Sequence, residues 1–332
     1  QRSYGTRCQL PESLTNALGQ STQISNGYDL GLPATVTDPN GLLASQTYDA
    51  FGRPDVQSRP DGTATDIDLL ACQAGNNYCG TGASDVRWQQ LTVQRASGGA
   101  TVRTGRVAYD AFDRPRFIES QLAGGVFSVV RRVYDAKGRL QQEHLPTTVY
   151  PAGYCSFGYD LLGRVTVDAL YDGAAMLDRQ SLFSHAGRRV TTTDPLQHST
   201  ERYHDVLGQL RRVVEPSPGR TVNYGYDPLG NLTTVDDAGL PGSWTYDLNG
   251  HLTAMNSADR GSWTYAPNSL GERVSQTNAR GQTLQMTYDP LGRPLTRTEP
   301  EGTTTWTWGT QAVRHEIGQL RQVSGPDGYA EV

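Results

Sequence analysis

Lysine is all but missing from this chain: Lys137 is the only one in 332 residues, and arginine supplies the other basic positions. Apolar residues reach only 36 %, under the roughly 45–50 % of an ordinary globular domain, an average that also counts glycine. No apolar run approaches the roughly 20 residues of a membrane helix. Glycine (37) and proline (18) interrupt nearly every longer stretch, which excludes a large helical core. The formal charge of −5 argues against a partner bound through its phosphate backbone, so no nucleic acid is expected. No signal peptide is visible at Gln1 and no methionine starts the chain, as in an excised or processed fragment.

Cysteine is scarce as well: Cys8, Cys72, Cys79 and Cys155. Cys72 and Cys79 bracket the loop Gln73-Ala-Gly-Asn-Asn-Tyr78, a spacing that suits a small disulfide ring. A zinc site is disfavoured, since no CxxC spacing or nearby histidine accompanies them. Two unpaired thiols remain the alternative. If the ring forms, the chain matures in an oxidising space, secreted or at a cell surface. Cys8 and Cys155 can pair only if the fold brings them together.

Catalytic signatures are missing too. His144, His185, His198, His204, His251 and His315 are dispersed, with no HExxH, GxSxG, Walker A or GxGxxG spacing. No enzyme activity and no cofactor or metal is expected. Trp244, Trp263, Trp306 and Trp308 would suit a carbohydrate, but they stand in strands just before turns, where packing accounts for them.

What the chain does have is a repeat. Tyr-Asp-x-x-Gly-Arg occurs as Tyr48-Asp49-Ala-Phe-Gly52-Arg53, Tyr134-Asp135-Ala-Lys-Gly138-Arg139, Tyr159-Asp160-Leu-Leu-Gly163-Arg164 and Tyr288-Asp289-Pro-Leu-Gly292-Arg293. Variants are Tyr226-Asp227-Pro-Leu-Gly230-Asn231 and Tyr246-Asp247-Leu-Asn-Gly250-His251, while Tyr109-Asp110-Ala-Phe-Asp113-Arg114 replaces the glycine. Degenerate copies start at Tyr28, Phe183, Tyr203 and Tyr265, and a last one near Trp308. The starts fall 19 to 25 residues apart, except for 61 between Tyr48 and Tyr109. That gap holds an irregular region, residues 63–105, with the cysteine loop and one or two hidden repeats.

Each copy reads as a hairpin turn. The aspartate caps backbone amides two residues on. Pro228 and Pro290 suit the next position of a type I turn, and the glycine supplies a left-handed conformation. Asp113 tolerates that conformation better than most residues. Flanking stretches such as Thr221-Val-Asn-Tyr-Gly-Tyr226 and Leu284-Gln-Met-Thr-Tyr288 alternate as strands do. A second set of turns lies half a period away, at Asp38-Pro-Asn-Gly41, Pro60-Asp-Gly62, Pro216-Ser-Pro-Gly219, Glu299-Pro-Glu-Gly302 and Pro326-Asp-Gly328.

The expected fold is therefore all-β: one antiparallel hairpin array over residues 1–332, with about 20 to 26 strands, spiralling because so long a sheet twists. The recurring aspartates fit capping better than catalysis. The arginines after each turn, Arg53, Arg114, Arg139, Arg164, Arg188 and Arg293, fit pairing with the turn aspartate of the same or the next repeat, at roughly 0–1 kcal/mol per exposed pair.

At these residues the sequence resembles the YD repeats of Rhs proteins, of the C component of Tc toxin complexes and of teneurins. The resemblance runs from Tyr28 to about Gln322. It implies a spiralling sheet that closes into a hollow shell around a toxic polypeptide. Two functions follow as expectations: a non-enzymatic wall segment, with the remaining repeats and an enclosed polypeptide as partners, or an extracellular structural or adhesive protein assembling with identical subunits through open sheet edges. The polar residues Asn223, Thr245, Gln285 and Thr287 are expected to line the inward face.

Overall fold

A computed structural model describes residues 1–4, 10–27, 29–72, 85–149, 152–215, 219–326, 328 and 330–331. Tyr28, Cys8, Cys79, the loop Gln73–Tyr78 and the turn residues Pro216, Pro218 and Asp327 lie outside the described residues. The expected Cys72–Cys79 ring therefore involves a residue outside them. Cys155 is described and is a free thiol.

Twenty-nine strands, from β1 (Arg2–Tyr4) to β29 (Ala330–Glu331), form one open sheet among these residues. Each strand pairs antiparallel with the next in the chain, as between β13 (Tyr154–Tyr159) and β14 (Val165–Tyr171), or β25 (Thr283–Tyr288) and β26 (Pro294–Glu299). The only helical pieces described are two single 3₁₀ turns, Ala123–Gly125 and Ala312–Arg314. The chain thus carries its hydrogen bonds between sequence neighbours, as the dense turn signals require.

The strand number exceeds the 20 to 26 expected because β1, β2 (Pro11–Thr15) and β29 lie outside the repeats that start between Tyr28 and Trp308, and not because of the 61-residue gap. That gap contains β6 (Pro54–Ser58), β7 (Ala64–Ala71), β8 (Val86–Arg95) and β9 (Thr101–Asp110). β7 and β8 form one further hairpin, whose connection is the cysteine-bearing segment. The gap therefore hides one degenerate repeat.

Because the sheet is a single layer, little is buried. Val86, Ala108 and Phe117 form one small cluster, with Cys72 and Val129 against it. Elsewhere the two faces differ in chemistry. Cross-strand register puts Trp244, Met255 and Trp263 in one row. The alternate positions Thr245, Ala254, Thr264, Thr277 and Thr283 form a row on the other face. Hydroxyls on that second face bond to one another, as between Thr277 and Thr283 (2.9 Å) and between Thr287 and Thr296 (2.6 Å). Such pairs stabilise a sheet locally where no second layer covers it. Asn223, Thr245, Gln285 and Thr287 all belong to this polar face.

The two rims of the sheet also differ. Connections after odd-numbered strands carry the Tyr-Asp turns, and those after even-numbered strands form the opposite rim. Among the described residues the rims meet at Asn40. Asn40, between β4 (Leu32–Thr37) and β5 (Leu43–Tyr48), touches the connection between β27 (Gly302–Trp308) and β28 (Leu320–Ser324). The sheet has therefore coiled through a lap by the time it reaches β27.

Candidate functional site

The recurring element is the Tyr-Asp turn, and its geometry is the same from copy to copy. At Asp160 one carboxylate oxygen accepts the backbone N–H groups of Leu162 (2.9 Å) and Arg164 (3.0 Å), and the other accepts the Arg164 Nε (2.7 Å). The backbone closes the loop twice, Asp160 N–H to the Arg164 carbonyl and Gly163 N–H to the Asp160 carbonyl. The same set recurs at Asp49–Arg53, Asp110–Arg114, Asp135–Arg139 and Asp289–Arg293. The arginine pairs with the aspartate of its own repeat. Gly52, Gly138, Gly163, Gly230, Gly250 and Gly292 all have positive φ, and Asp113 takes the equivalent place at φ 57°.

Where asparagine or histidine replaces the arginine, its bond is kept, whereas at Asp205, with Gln209 in that place, Arg211 pairs with the carboxylate instead. Asn231 donates its amide to Asp227 at 2.9 Å, and His251 Nδ1 lies 3.0 Å from Asp247 Oδ2. In the copy after Tyr265 the polarity is reversed: Asn268 takes the aspartate position and donates to Glu272 at 2.6 Å. The degenerate copy at Phe183 departs further, with strand pairing running to Ala186–Arg189 around Gly187.

These bonds hold the turn carboxylates ionised. Asp49 lies below the usual carboxylate range chiefly through the Arg53 guanidinium, Asp227 through the Asn231 amide, and Asp135 through the Arg139 backbone N–H. At Asp110, Asp160 and Asp289 burial pushes the other way and is outweighed by hydrogen bonds from the arginine and the turn amides. A carboxylate held this way is a poor proton carrier at neutral pH. Among the described residues no three His, Cys, Asp or Glu side chains come together as a metal would require, and no helix is long and apolar enough to cross a membrane.

Sequence reasoning missed what the tyrosines do. Six of them reach back one repeat and donate the hydroxyl to the carbonyl just beyond the previous turn, whereas Tyr203 donates to the Glu201 carboxylate. Tyr134 bonds Pro115 (2.9 Å), Tyr159 bonds Leu140 (2.7 Å), Tyr226 bonds Leu210 (2.9 Å) and Tyr246 bonds Leu232 (3.0 Å). Tyr48 and Tyr288 do the same to Pro33 and Arg273. Trp308 Nε1 makes the bond to Pro294, and His185 Nε2 lies 2.8 Å from the Val165 carbonyl. Tyr109 instead stacks on Trp88, 4.0 Å between centroids, and the indole N–H of Trp88 donates to Asp113. The turn arginine then lies over the next aromatic: Arg139 over Tyr159 at 4.4 Å, Arg114 over Tyr134 at 4.7 Å and Arg293 over Trp308 at 4.6 Å. At Tyr134 and Tyr159 a hydroxyl bond and a cation–π stack together staple consecutive repeats.

Two features lie on the rims. Phe51, Phe112, Leu162, Leu207, Leu229 and Leu270, at the residue before the turn glycine or its substitute, are 70–82 % exposed. The rim contact is a polar lock: Asn40 Nδ2 donates to the Ile317 carbonyl (3.1 Å), Asn40 Oδ1 accepts the Ile317 N–H (2.8 Å), and His315 Nδ1 lies 3.1 Å from the Asn40 carbonyl.

Against known proteins, the RHS Repeat family model matches residues 28–64, 204–239 and 268–304. No curated protein matches the chain in sequence. Solved structures with the same fold include TcdB2-TccC3 without its hypervariable C-terminal region, at TM-score 0.76 and 14 % identity over 97 % of this chain and 23 % of that one. TcdB2-TccC3 itself gives TM-score 0.74 at 16 % identity, over 97 % and 21 %. The Photorhabdus luminescens Tc holotoxin pore, carrying a TccC3 mutation, gives 0.73 at 15 %, over 97 % and 24 %. The chain spans about a quarter of the length of the structures it matches.

Proposed function

Starting from an RHS-repeat chain with the all-β fold of the TcdB2-TccC3 shell structures, we propose that it is a non-enzymatic wall segment of a hollow RHS-repeat shell that encloses a toxin or other polypeptide. The observation that carries this reading is the rim contact of Asn40 with Ile317, 277 residues apart. A sheet that coils back onto its own rim is a wall around a space, whereas a fibre needs no such return. The repeated side chains are occupied with turns and staples, which leaves the wall passive.

In this reading residues 1–332 act as a single array, and the turn residues from Tyr48 to Arg293 are structural. The partners are neighbouring repeats of the same shell and the enclosed chain, which meets one sheet face. The hydroxyl-rich face bearing Asn223, Thr245, Gln285 and Thr287 suits a cargo of varied sequence, because it offers few charges or apolar anchors. The chain is secreted or displayed at a cell surface, with a Cys72–Cys79 disulfide in the segment joining β7 and β8.

The competing reading is a filament of identical subunits, for which the edge strands β1 and β29 offer one unpaired side each among the described residues. Electron microscopy of the intact gene product containing this segment separates the two. Enclosure gives closed hollow particles with internal density. Ordered polymers repeating at one chain, with no internal density, overturn it.

A further inference from the structure

In most repeats tyrosine precedes the aspartate position, but in the turn from Asn268 to Glu272 the residue there is Pro267. The preceding turn ends in His251 where other copies have arginine. Strand register bears out the equivalence: Pro267 pairs with Arg273 as Tyr159 pairs with Val165 and Tyr288 with Pro294, each time at a bulge. Both parts of the tyrosine–arginine staple are therefore replaced at one junction. Proline has no hydroxyl to give to the Leu252 carbonyl. Tyr265, two residues earlier, lies under Arg273 instead, with 4.4 Å from the guanidinium to the ring centre. His251 reaches the next turn, where a Cβ on Gly271 would stand 2.7 Å from its Nε2, but its ring is shorter than arginine and stays bonded to Asp247.

The space left at this junction is a cavity of about 350 Å³, at the small end of ligand pockets. Leu252, Pro267 and Met286 give it apolar walls, and Tyr265 and Tyr288 add aromatic ones. Arg273 also lines it; its guanidinium bonds the Gln276 side chain at 2.9 Å and makes no ion pair among the described residues.

From this vacancy we propose that the junction is a binding site for a small phenol bearing a carboxylate. The ring takes the place that a staple tyrosine fills elsewhere. Its hydroxyl donates to the Leu252 carbonyl, as Tyr246 donates to Leu232 one repeat earlier, and its carboxylate pairs with Arg273. Apolar walls with a few placed polar groups suit such a ligand, and the Met286 thioether favours an aromatic neighbour. A bond between a guanidinium and a carboxylate is roughly twice as strong as a neutral one, which sets the phenolic acid apart from a plain phenol. The site lies within one junction, so it stands whether or not the sheet closes around a cargo.

Isothermal titration calorimetry of the full 332-residue chain with 4-hydroxyphenylacetate tests it. Wild type gives saturable one-to-one binding. Phenylacetate, which lacks the hydroxyl, binds several-fold more weakly. Pro267→Tyr supplies the missing ring from the chain itself, at a position that holds tyrosine in other repeats. It raises the thermal midpoint and weakens binding at least about tenfold. Arg273→Gln, at an exposed position, keeps the wild-type circular dichroism and weakens binding about tenfold. A wild type without saturable binding overturns the proposal, as does binding unchanged in Arg273→Gln or in a folded Pro267→Tyr. Binding of N-acetyltyrosinamide without binding of 4-hydroxyphenylacetate assigns the vacancy to a tyrosine of another polypeptide and also overturns it.

Discussion

The side-chain amide of Asn40 meets the peptide group of Ile317 as a neighbouring strand would, giving to its carbonyl and taking from its N–H across 277 residues of sequence. Asn40 is buried, so both bonds are shielded from water. Asp38 accepts both the backbone N–H of Asn40, at 2.9 Å, and its side-chain Nδ2, at 3.4 Å.

Asn40→Ala removes both bonds and leaves the half-buried peptide group of Ile317 without these partners. With each net bond worth about 0.5–1.5 kcal/mol, the lock loses about 1–3 kcal/mol. Hydrogen exchange at the Ile317 amide reads this directly: protection drops in the variant while amides in β13 and β14 keep theirs. Unchanged protection at Ile317 means the rims are held by something else.

The tyrosine staple predicts a graded series. Tyr159→Phe keeps the ring under Arg139 but leaves the Leu140 carbonyl without its donor, costing about 0.5–1.5 kcal/mol. Tyr159→Ala also removes the cation–π partner and the ring's burial, and costs more. Urea denaturation ranks them. Equal midpoints for wild type and Tyr159→Phe would mean that the hydroxyl contributes nothing.

Gly230 has φ 92°, a conformation that strains a β-branched residue. Gly230→Val therefore destabilises by about 1–2 kcal/mol. Gly230→Asn costs less, in line with Asp113 occupying the same place at φ 57°. Thermal midpoints that fail to separate valine from asparagine contradict the turn geometry.

Acid weakens the array through its turn carboxylates. Their folded values lie below the ordinary one, as at Asp49, Asp135 and Asp160, so near pH 4 the folded chain binds fewer protons than the unfolded one. Their contribution is complete above about pH 5 and fades as pH falls through the unfolded value near 3.9 and on through the lowered folded values. Asp135→Asn with Asp160→Asn keeps the capping oxygens but removes two charges. The loss of stability between about pH 5 and pH 3 is then shallower than in wild type. An unchanged slope assigns acid sensitivity to other groups.

The turns were legible because their signals lie within six consecutive residues: an acceptor at the aspartate, a left-handed position at the glycine and a partner at the arginine. Strands followed from alternation on either side. The tyrosine's role was not legible, since its acceptor is a backbone carbonyl in the previous repeat and any residue presents one. His185 and Trp308 in that role show how little the bond asks of sequence beyond an N–H or O–H at the right height. The contact of Asn40 with Ile317 was beyond reach for a different reason. It depends on the accumulated coiling of the strands between them, which no local pattern records. The strand number was underestimated at the two ends of the array, where β1, β2 and β29 lie outside the Tyr-Asp copies.

The account stands on the sheet coiling back on itself, and a distance measurement tests that directly. Leu43, at the start of β5, and Val313, in the β27–β28 connection, are both exposed and flank the rim contact. Twenty-two strand spacings separate β5 from β27 along the sheet, about 100 Å if it lay flat at ~4.8 Å per strand. Nitroxide labels incorporated at these two positions, measured by double electron–electron resonance, give a narrow distribution well short of the flat-sheet separation if the wall closes its lap. A signal beyond the range of the method, with the strands intact by circular dichroism, contradicts the coiled wall and with it the enclosing function.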